Sequence, residues 1–340
     1  MATNHRNLAT IDSMRRLNKS VFLISACLFS ASAWGQTGLA SKYFESGWAK
    51  APQDATTPAA KPLPVMLERP DETFQATYAR PTHIFITQVA YQMYASQFGG
   101  GEMDRYMPLI VKASSEEDMP FHNPFGQMIP ELRHFWDPRR GLEKGLAGYD
   151  SAVDRAYKYF TGGYGINGRY DRRWSIAGIK GQGIIFLYRS GDKAKAYEYL
   201  GHVAHLVEDL TVPAHTLLWP HLHVVPRSDV YETYMEAHFK ENFQMPSGDV
   251  ESFPSLYDLF NQTARTTQQF DAGFGPGPLA GKDGSVDKGR RRADGFSDKE
   301  LKEEAHVLFP LAIKRVAALF LYFQRQAANN FSQLLIPSLK

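Results

Sequence analysis

The segment Gly201-His202-Val203-Ala204-His205-Leu206-Val207-Glu208-Asp209 runs on through Val212-Pro213-Ala214-His215 and sets ionisable side chains into an apolar helical repeat. The pattern predicts a helix over Asp192 to Leu210, with Asp192 as its N-cap and Pro213 enforcing the stop. Residues of an α-helix advance by about 100°, so His205 and Asp209 share a face, about 40° out of line, with His202 about 60° to the other side. An imidazole and a carboxylate one turn apart can reach the same cation or make a surface hydrogen bond. The pair alone leaves both readings open.

Outward from that segment the pattern stays helical. Ile84, Phe85, Ile86, Val89, Ala90, Met93 and Tyr94 recur at three- and four-residue steps behind Pro81, which predicts a helix from Thr82. Further helices are predicted at Asp150 to Phe160, Arg172 to Tyr188, Val230 to Phe243, Leu256 to Phe270 and Asp298 to Arg325. A loop rich in Pro and Gly spans Asp118 to Gly141. A surface insertion is expected at about 271–297, where Phe274 to Gly295 holds six glycines, two prolines and Arg290-Arg291-Arg292. Strand alternation is almost absent and no repeat is visible. The expectation is a single compact all-α multi-helix domain over 82–340, preceded by an extended Ala/Pro/Thr-rich lead-in at 34–81.

The first 33 residues read as a secretion signal: Arg15, Arg16 and Lys19 precede the apolar run Val21 to Phe29, and Ala31-Ser32-Ala33 supplies a cleavage site. The run is too short to span a bilayer. Met14 begins a compact signal of its own and is a candidate start. Export to the periplasm or the cell exterior is expected, with lipid anchoring at Cys27, the sole cysteine, as the alternative. Removing residues 1–33 leaves 34 basic against 35 acidic side chains, a net charge of −1. That balance lacks the basic excess of a protein gripping long nucleic acid, so no stable nucleic-acid complex is expected.

Nine of the eleven histidines fall between residues 83 and 238. Beside the central cluster stand Glu116-Glu117-Asp118-Met119-Pro120, then His134-Phe135-Trp136-Asp137-Pro138, and His83 at the start of an apolar helix. Each feature alone is compatible with a solvated loop or a packed side chain. Taken in order along the chain, they resemble the bacterial zinc-dependent phospholipase C family and its relatives, the single-strand-specific zinc nucleases. The resemblance rests on Trp34-Gly35, Thr82-His83, Glu117 to Pro120, His134 to Pro138, Tyr231-Glu232 and Phe309-Pro310-Leu311-Ala312. Its most specific part is Leu200-Gly201 followed by His205, Asp209, Pro213 and His215.

The resemblance implies an all-helical fold holding three zinc ions in a cleft. His134, His205 and Asp209 would hold one, with Asp118 beside it as ligand or general base. Asp209 would bridge to a second, bound also by His83 and by the backbone amine and carbonyl of Trp34 at the mature N-terminus. His215 and Glu232 would hold the third. Relatives place a histidine four residues before that glutamate, where this chain has Ser228; Asp229 is assigned in its stead, with His223 as a substitute. His122, His202, His221 and His238 receive no metal role. A mixture of imidazole and carboxylate ligands suits Zn²⁺.

The activity so implied is metal-assisted hydrolysis of a phosphodiester, with release of a phospholipid head group and Asp118 orienting or deprotonating the water. Peripheral contact with a membrane surface accompanies that reading, and no protein partner is evident. Family lipases hold choline with an acidic residue near the N-terminal tryptophan and two aromatics; this chain has Thr37, Met119 and Glu131 there, so choline specificity does not carry over. Two alternatives stand beside it: a single-strand-specific zinc nuclease, and a non-catalytic helical module that zinc staples in place of disulfides.

Overall fold

The computed structural model describes residues 81–119, 130–176, 180–219, 229–241, 243, 245–273, 291–292 and 295–328. The signal segment with Met14 and Cys27, Trp34 and the rest of the lead-in, His122, His221, His223 and most of the 271–297 insertion lie outside the described residues.

The described chain is all-α. Helix α1 (Pro81–Phe98) starts with Pro81 in its first turn, where a missing N–H costs nothing, and buries Phe85, Ile86, Val89, Ala90, Met93 and Tyr94. It stops where Gly99 turns left-handed, φ +74°. Helix α2 (Met103–Glu116) follows. After it come two short 3₁₀ turns, Pro130–Arg133 and Leu146–Gly148, then α3 (Ala152–Thr161), α4 (Arg173–Ile176) and α5 (Ile184–Ser190). The remainder is α6 (Lys193–Asp209), α7 (Pro213–Thr216), α8 (Val230–His238), α9 (Leu256–Thr267) and α10 (Asp298–Ala328). The strand content among the described residues is one parallel pairing, Ala272–Gly273 with Arg291–Arg292.

Two features depart from the sequence expectation. No helix was expected at α2, because Gly99-Gly100-Gly101 precedes it and Pro108 stands inside it. Burial of Met103, Tyr106, Met107, Ile110 and Ala113 against the core overrides those breakers. The expected helix Arg172 to Tyr188 is instead broken into α4 and α5. Gly181 takes φ +70°, and a Cβ on Gly183 would stand 2.2 Å from the Phe160 carbonyl oxygen, so the chain crosses the end of α3 by bare backbone.

Helix α6 lies at the centre. Asp192 caps it by accepting the Lys195 N–H, and the helix is buried from Leu200 through Asp209. Pro213 occupies the first position of α7. The most extensive packing of α6 is on α2, while α10 packs on α1. Gly201 makes the α2–α6 approach possible: a Cβ there would meet the Ile110 carbonyl oxygen at 2.2 Å and the Ala113 Cβ at 2.8 Å. Helix α10 is long and apolar enough to cross a membrane, but most of its apolar stretch is buried inside the protein, as expected of a core helix.

Candidate metal centre

Six segments, α6 among them, deliver ionisable side chains to one region. The helix itself supplies His205 and Asp209 one turn apart, at 0% and 1% exposure. The first turn of α1 brings His83, and the chain leaving α2 brings Glu117 and Asp118. His134 follows the first 3₁₀ turn and is pinned by the Trp136 N–H donating to the His215 carbonyl at 3.1 Å. Helix α7 contributes His215, whose ring stacks on Phe135 with centroids 4.5 Å apart. Helix α8 contributes Glu232.

Asp118, His134, His205 and Asp209 form the tightest group. His134 Nδ1 lies 3.0 Å from Asp118 Oδ1 and 2.8 Å from Asp209 Oδ2. His205 Nε2 lies 3.3 Å from Asp118 Oδ1, 3.1 Å from Asp209 Oδ2 and 3.3 Å from His134 Nδ1. Ligands about 2.0 Å from a tetrahedral ion are separated by about 3.3 Å, so these spacings fit one small divalent cation.

The hydrogen-bond inventory points the same way. His205 Nδ1 lies 2.7 Å from the Ser114 carbonyl oxygen, which can only accept, so the ring hydrogen is assigned to Nδ1. In the neutral ring the Nε2 lone pair then faces two carboxylates and another imidazole. Both Asp209 oxygens are buried without a hydrogen bond of good geometry. Acceptors facing one another in a dry site repel unless a proton or a metal ion sits between them.

The electrostatics show the protonic alternative. Burial opposes charge on His134, but its contacts with Asp118, Asp209 and Glu117 outweigh burial and push the ring up to about 10. His205 is likewise raised well above the ordinary histidine value, because the charges of Asp209 and Asp118 overcome its burial. Burial alone would raise Asp209; the His205 and His215 rings beside it, with the contacts to His134 and His205, instead hold it well below the usual carboxylate range. The centre therefore carries a strong demand for positive charge, which a metal ion meets in competition with ring protons.

Asp209 also links two further groups. Its Oδ1 lies 3.7 Å from His83 Nε2, and its Oδ2 lies 3.8 Å from His215 Nδ1. His215 Nε2 in turn stands 3.1 Å from Glu232 Oε1, so Asp209, His215 and Glu232 form a second group able to hold a metal ion. His83 stacks on His205 with ring centroids 4.2 Å apart and belongs to a third, with His205 and Glu208.

The sequence-expected residues thus separate as follows. His83, Asp118, His134, His205, Asp209, His215 and Glu232 come together. Among the described residues Asp229 joins no donor group: it is the N-cap of α8, its Oδ1 accepting the Glu232 N–H at 2.9 Å, which places it as a support for Glu232. Trp34 and His223 lie outside the described residues. His238 pairs at the surface with Glu241 at 3.0 Å.

Sequence reading missed Glu208. Its Oε2 lies 2.5 Å from His83 Nδ1, while Thr87 Oγ1 donates to Oε1 at 2.6 Å and Ser114 Oγ to Oε2 at 3.2 Å. Since Nδ1 is engaged there, Nε2 is the nitrogen His83 turns toward Asp209; Glu208 stands where the outer carboxylate of a carboxylate–histidine–metal arrangement would. The signal lay in the helical spacing, because Glu208 is three residues past His205 and so on nearly the same face. Alongside His83, Glu208 and Glu232 opens a small cleft whose other wall includes Tyr231, Met235 and Phe309.

No protein-family model matches the chain, and no curated protein matches it. Among solved structures it is similar to the alpha toxin from Clostridium absonum, with a TM-score of 0.48 and 16% identity over 73% of this chain. It is similar also to the alpha-toxin of Clostridium perfringens from avian strain SWCP, with a TM-score of 0.47 and 14% identity over 75% of this chain. The chain covers 64% and 66% of the length of those two structures.

Proposed function

We propose that the chain is an exported zinc-dependent phosphoric-ester hydrolase of the phospholipase C type, cleaving a phospholipid head group at a three-zinc centre. The observation that carries the proposal is the position of Asp209, a fully buried carboxylate without good hydrogen bonds, set among His83, His134, His205 and His215. One carboxylate shared by neighbouring donor groups is the arrangement that a cluster of divalent ions requires.

His134, His205, Asp118 and Asp209 would hold one ion. His83 and Asp209 would share a second with the Trp34 backbone, and His215, Asp209 and Glu232 would hold a third. Bound there, zinc supplies positive charge for the phosphate oxygens and lowers the pKa of an attacking water toward about 7. The chain's own residues do the rest. Asp118, at 4% exposure against 1% for Asp209, is the less enclosed of the two aspartates and would orient that water and accept its proton. Glu208 fixes the His83 ring, and Ser114 fixes His205. The small cleft walled by Tyr231, Met235 and Phe309 sets apolar surface beside His83 and Glu232.

The test is metal analysis of the purified protein together with hydrolysis of a chromogenic phosphodiester, phosphatidylcholine micelles and single-stranded DNA. Bound zinc and release of phosphoalcohol from micelles support the proposal. Preference for DNA transfers it to the nuclease alternative, and bound zinc without any hydrolysis leaves a structural module. N-terminal sequencing of the exported protein tests cleavage before Trp34.

A further inference from the structure

Each aspartate of the tightest donor group is preceded by a glutamate directed at a different partner. Glu208, before Asp209, faces His83. Glu117, before Asp118, is fully buried, and three groups close on it. Arg155 Nε and Nη2 both reach Oε1 at 2.5 Å, the Tyr159 hydroxyl donates to Oε2 at 2.8 Å, and His202 Nδ1 stands 2.7 Å from the same oxygen. The His202 ring lies nearly parallel to Tyr159, 7° apart in plane with centroids 5.4 Å apart. Neither Arg155 nor His202 belongs to a metal-donor group, yet both are at 1–2% exposure.

The clamp fixes where the carboxylate points. Oε1 stands 3.7 Å from His134 Nε2, a buried ring nitrogen without a hydrogen bond of its own. A neutral imidazole carries one hydrogen, and whichever nitrogen holds it cannot bind a metal. His134 turns Nδ1 toward Asp118, Asp209 and His205, so binding there needs the hydrogen on Nε2 with an acceptor beyond it. Glu117 is the acceptor in place; a shift of under about 1 Å turns 3.7 Å into a hydrogen bond.

We propose that Glu117 is a positioning residue of the His134 centre: held by Arg155, Tyr159 and His202, it takes the outer N–H of His134 and leaves Nδ1 as the lone pair offered to a divalent cation. The inference rests on the metal-binding reading of the site. Arg155 offsets the charge that a third carboxylate brings into a dry region already holding Asp118 and Asp209. A Glu117–Arg155 pair that served the fold alone would leave metal affinity untouched, and the two roles separate there.

The experiment is Co(II) binding to the purified protein, read by chelator competition and by the visible absorption of the bound ion, beside melts of the metal-free protein. Glu117→Gln is the direct variant. Glu117→Gln with Arg155→Met removes both buried charges at similar volume, and Tyr159→Phe deletes one hydroxyl of the clamp, so the question survives if the single variant fails to fold. Glu117→Gln and the double variant are expected to weaken Co(II) binding about 10- to 100-fold and to alter its spectrum. Tyr159→Phe is expected to weaken binding several-fold, and it and the double variant are expected to do so at a metal-free melting temperature close to wild type. Wild-type affinity and spectrum in the folded variants, or losses that only track melting temperature, overturn the inference. A wild-type protein that binds no Co(II) or Zn(II) instead removes the reading on which it rests.

Discussion

His83 Nδ1 lies 2.5 Å from Glu208 Oε2, joining the first turn of α1 to the last turn of α6 across 125 residues of sequence. Since Thr87 and Ser114 hold the same carboxylate, the ring is oriented from outside the metal centre. Substituting Glu208 by Gln keeps the volume but removes the charge that favours a hydrogen on Nδ1. The variant is expected to hold less metal after dialysis than wild type, with affinity at the His83 position lower by about 10- to 100-fold. Elemental analysis checks this; unchanged stoichiometry would return Glu208 to a packing role.

On the proposed reading Asp118 would divide catalysis from metal retention. Asp118→Asn keeps a carbonyl oxygen toward His134 and His205 but loses the basic carboxylate. Hydrolysis of a chromogenic phosphodiester should fall by at least about 10²-fold, the usual effect of a lost general base, while metal content stays largely intact. Full activity in the variant refutes the assignment.

Proton binding gives the metal-free protein a definite pH profile. His134 rises from its unfolded value of about 6.5 to about 10 on folding, and His205 moves in the same direction. The His134 contribution to stability is therefore complete below about pH 6.5 and is lost as pH climbs through about 10, and the His205 contribution is lost in the same direction. Asp209 and Glu117, both lowered, contribute above about pH 4.5 and lose that contribution as pH falls toward their folded values. Melting of chelator-treated protein should thus decline between pH 6.5 and 10. Metal affinity should rise over the same interval, as fewer ring protons compete. A melting temperature that climbs across that window contradicts the arrangement.

Gly201→Ala tests the helix contact behind the site. The new methyl meets backbone, the Ile110 carbonyl at 2.2 Å, so α2 and α6 must part. Overpacking of this kind costs about 1–3 kcal/mol, against about 1 kcal/mol regained from helix propensity. A lower melting temperature is expected, with weaker metal binding because Ser114 is carried away from His205. Calorimetry with and without zinc measures both effects.

The helices were legible where apolar spacing and end signals agreed: Asp192 caps α6 and Pro81 starts α1 as expected. Helix α2 was not, because its merit lies in partners distant in sequence, against which Pro108 and three glycines count for little. His205 and Asp209 were readable from one helical turn, and the longer-range grouping of His83, His134 and His215 entered through the family resemblance. The particular roles of Glu208, Glu117, Arg155 and His202 were not legible because they are set by contacts such as Glu117–Arg155 and His83–Glu208, 38 and 125 residues apart, for which local spacing carries no signal. Asp229 shows the converse: three residues from Glu232, it faces its neighbour's backbone, as a cap rather than a ligand.

Asp209 has two oxygens and four histidines around them, so the donor groups cannot fill as independent vessels. An ion held from the His134 side would withdraw electron density from the carboxylate that the His215 side would use, and one on the His83 side would compete for the same carboxylate. Stepwise loading should therefore be anticooperative, each equivalent entering more weakly than the one before. Partial depletion would strip the peripheral positions while the His134 and His205 position stays filled.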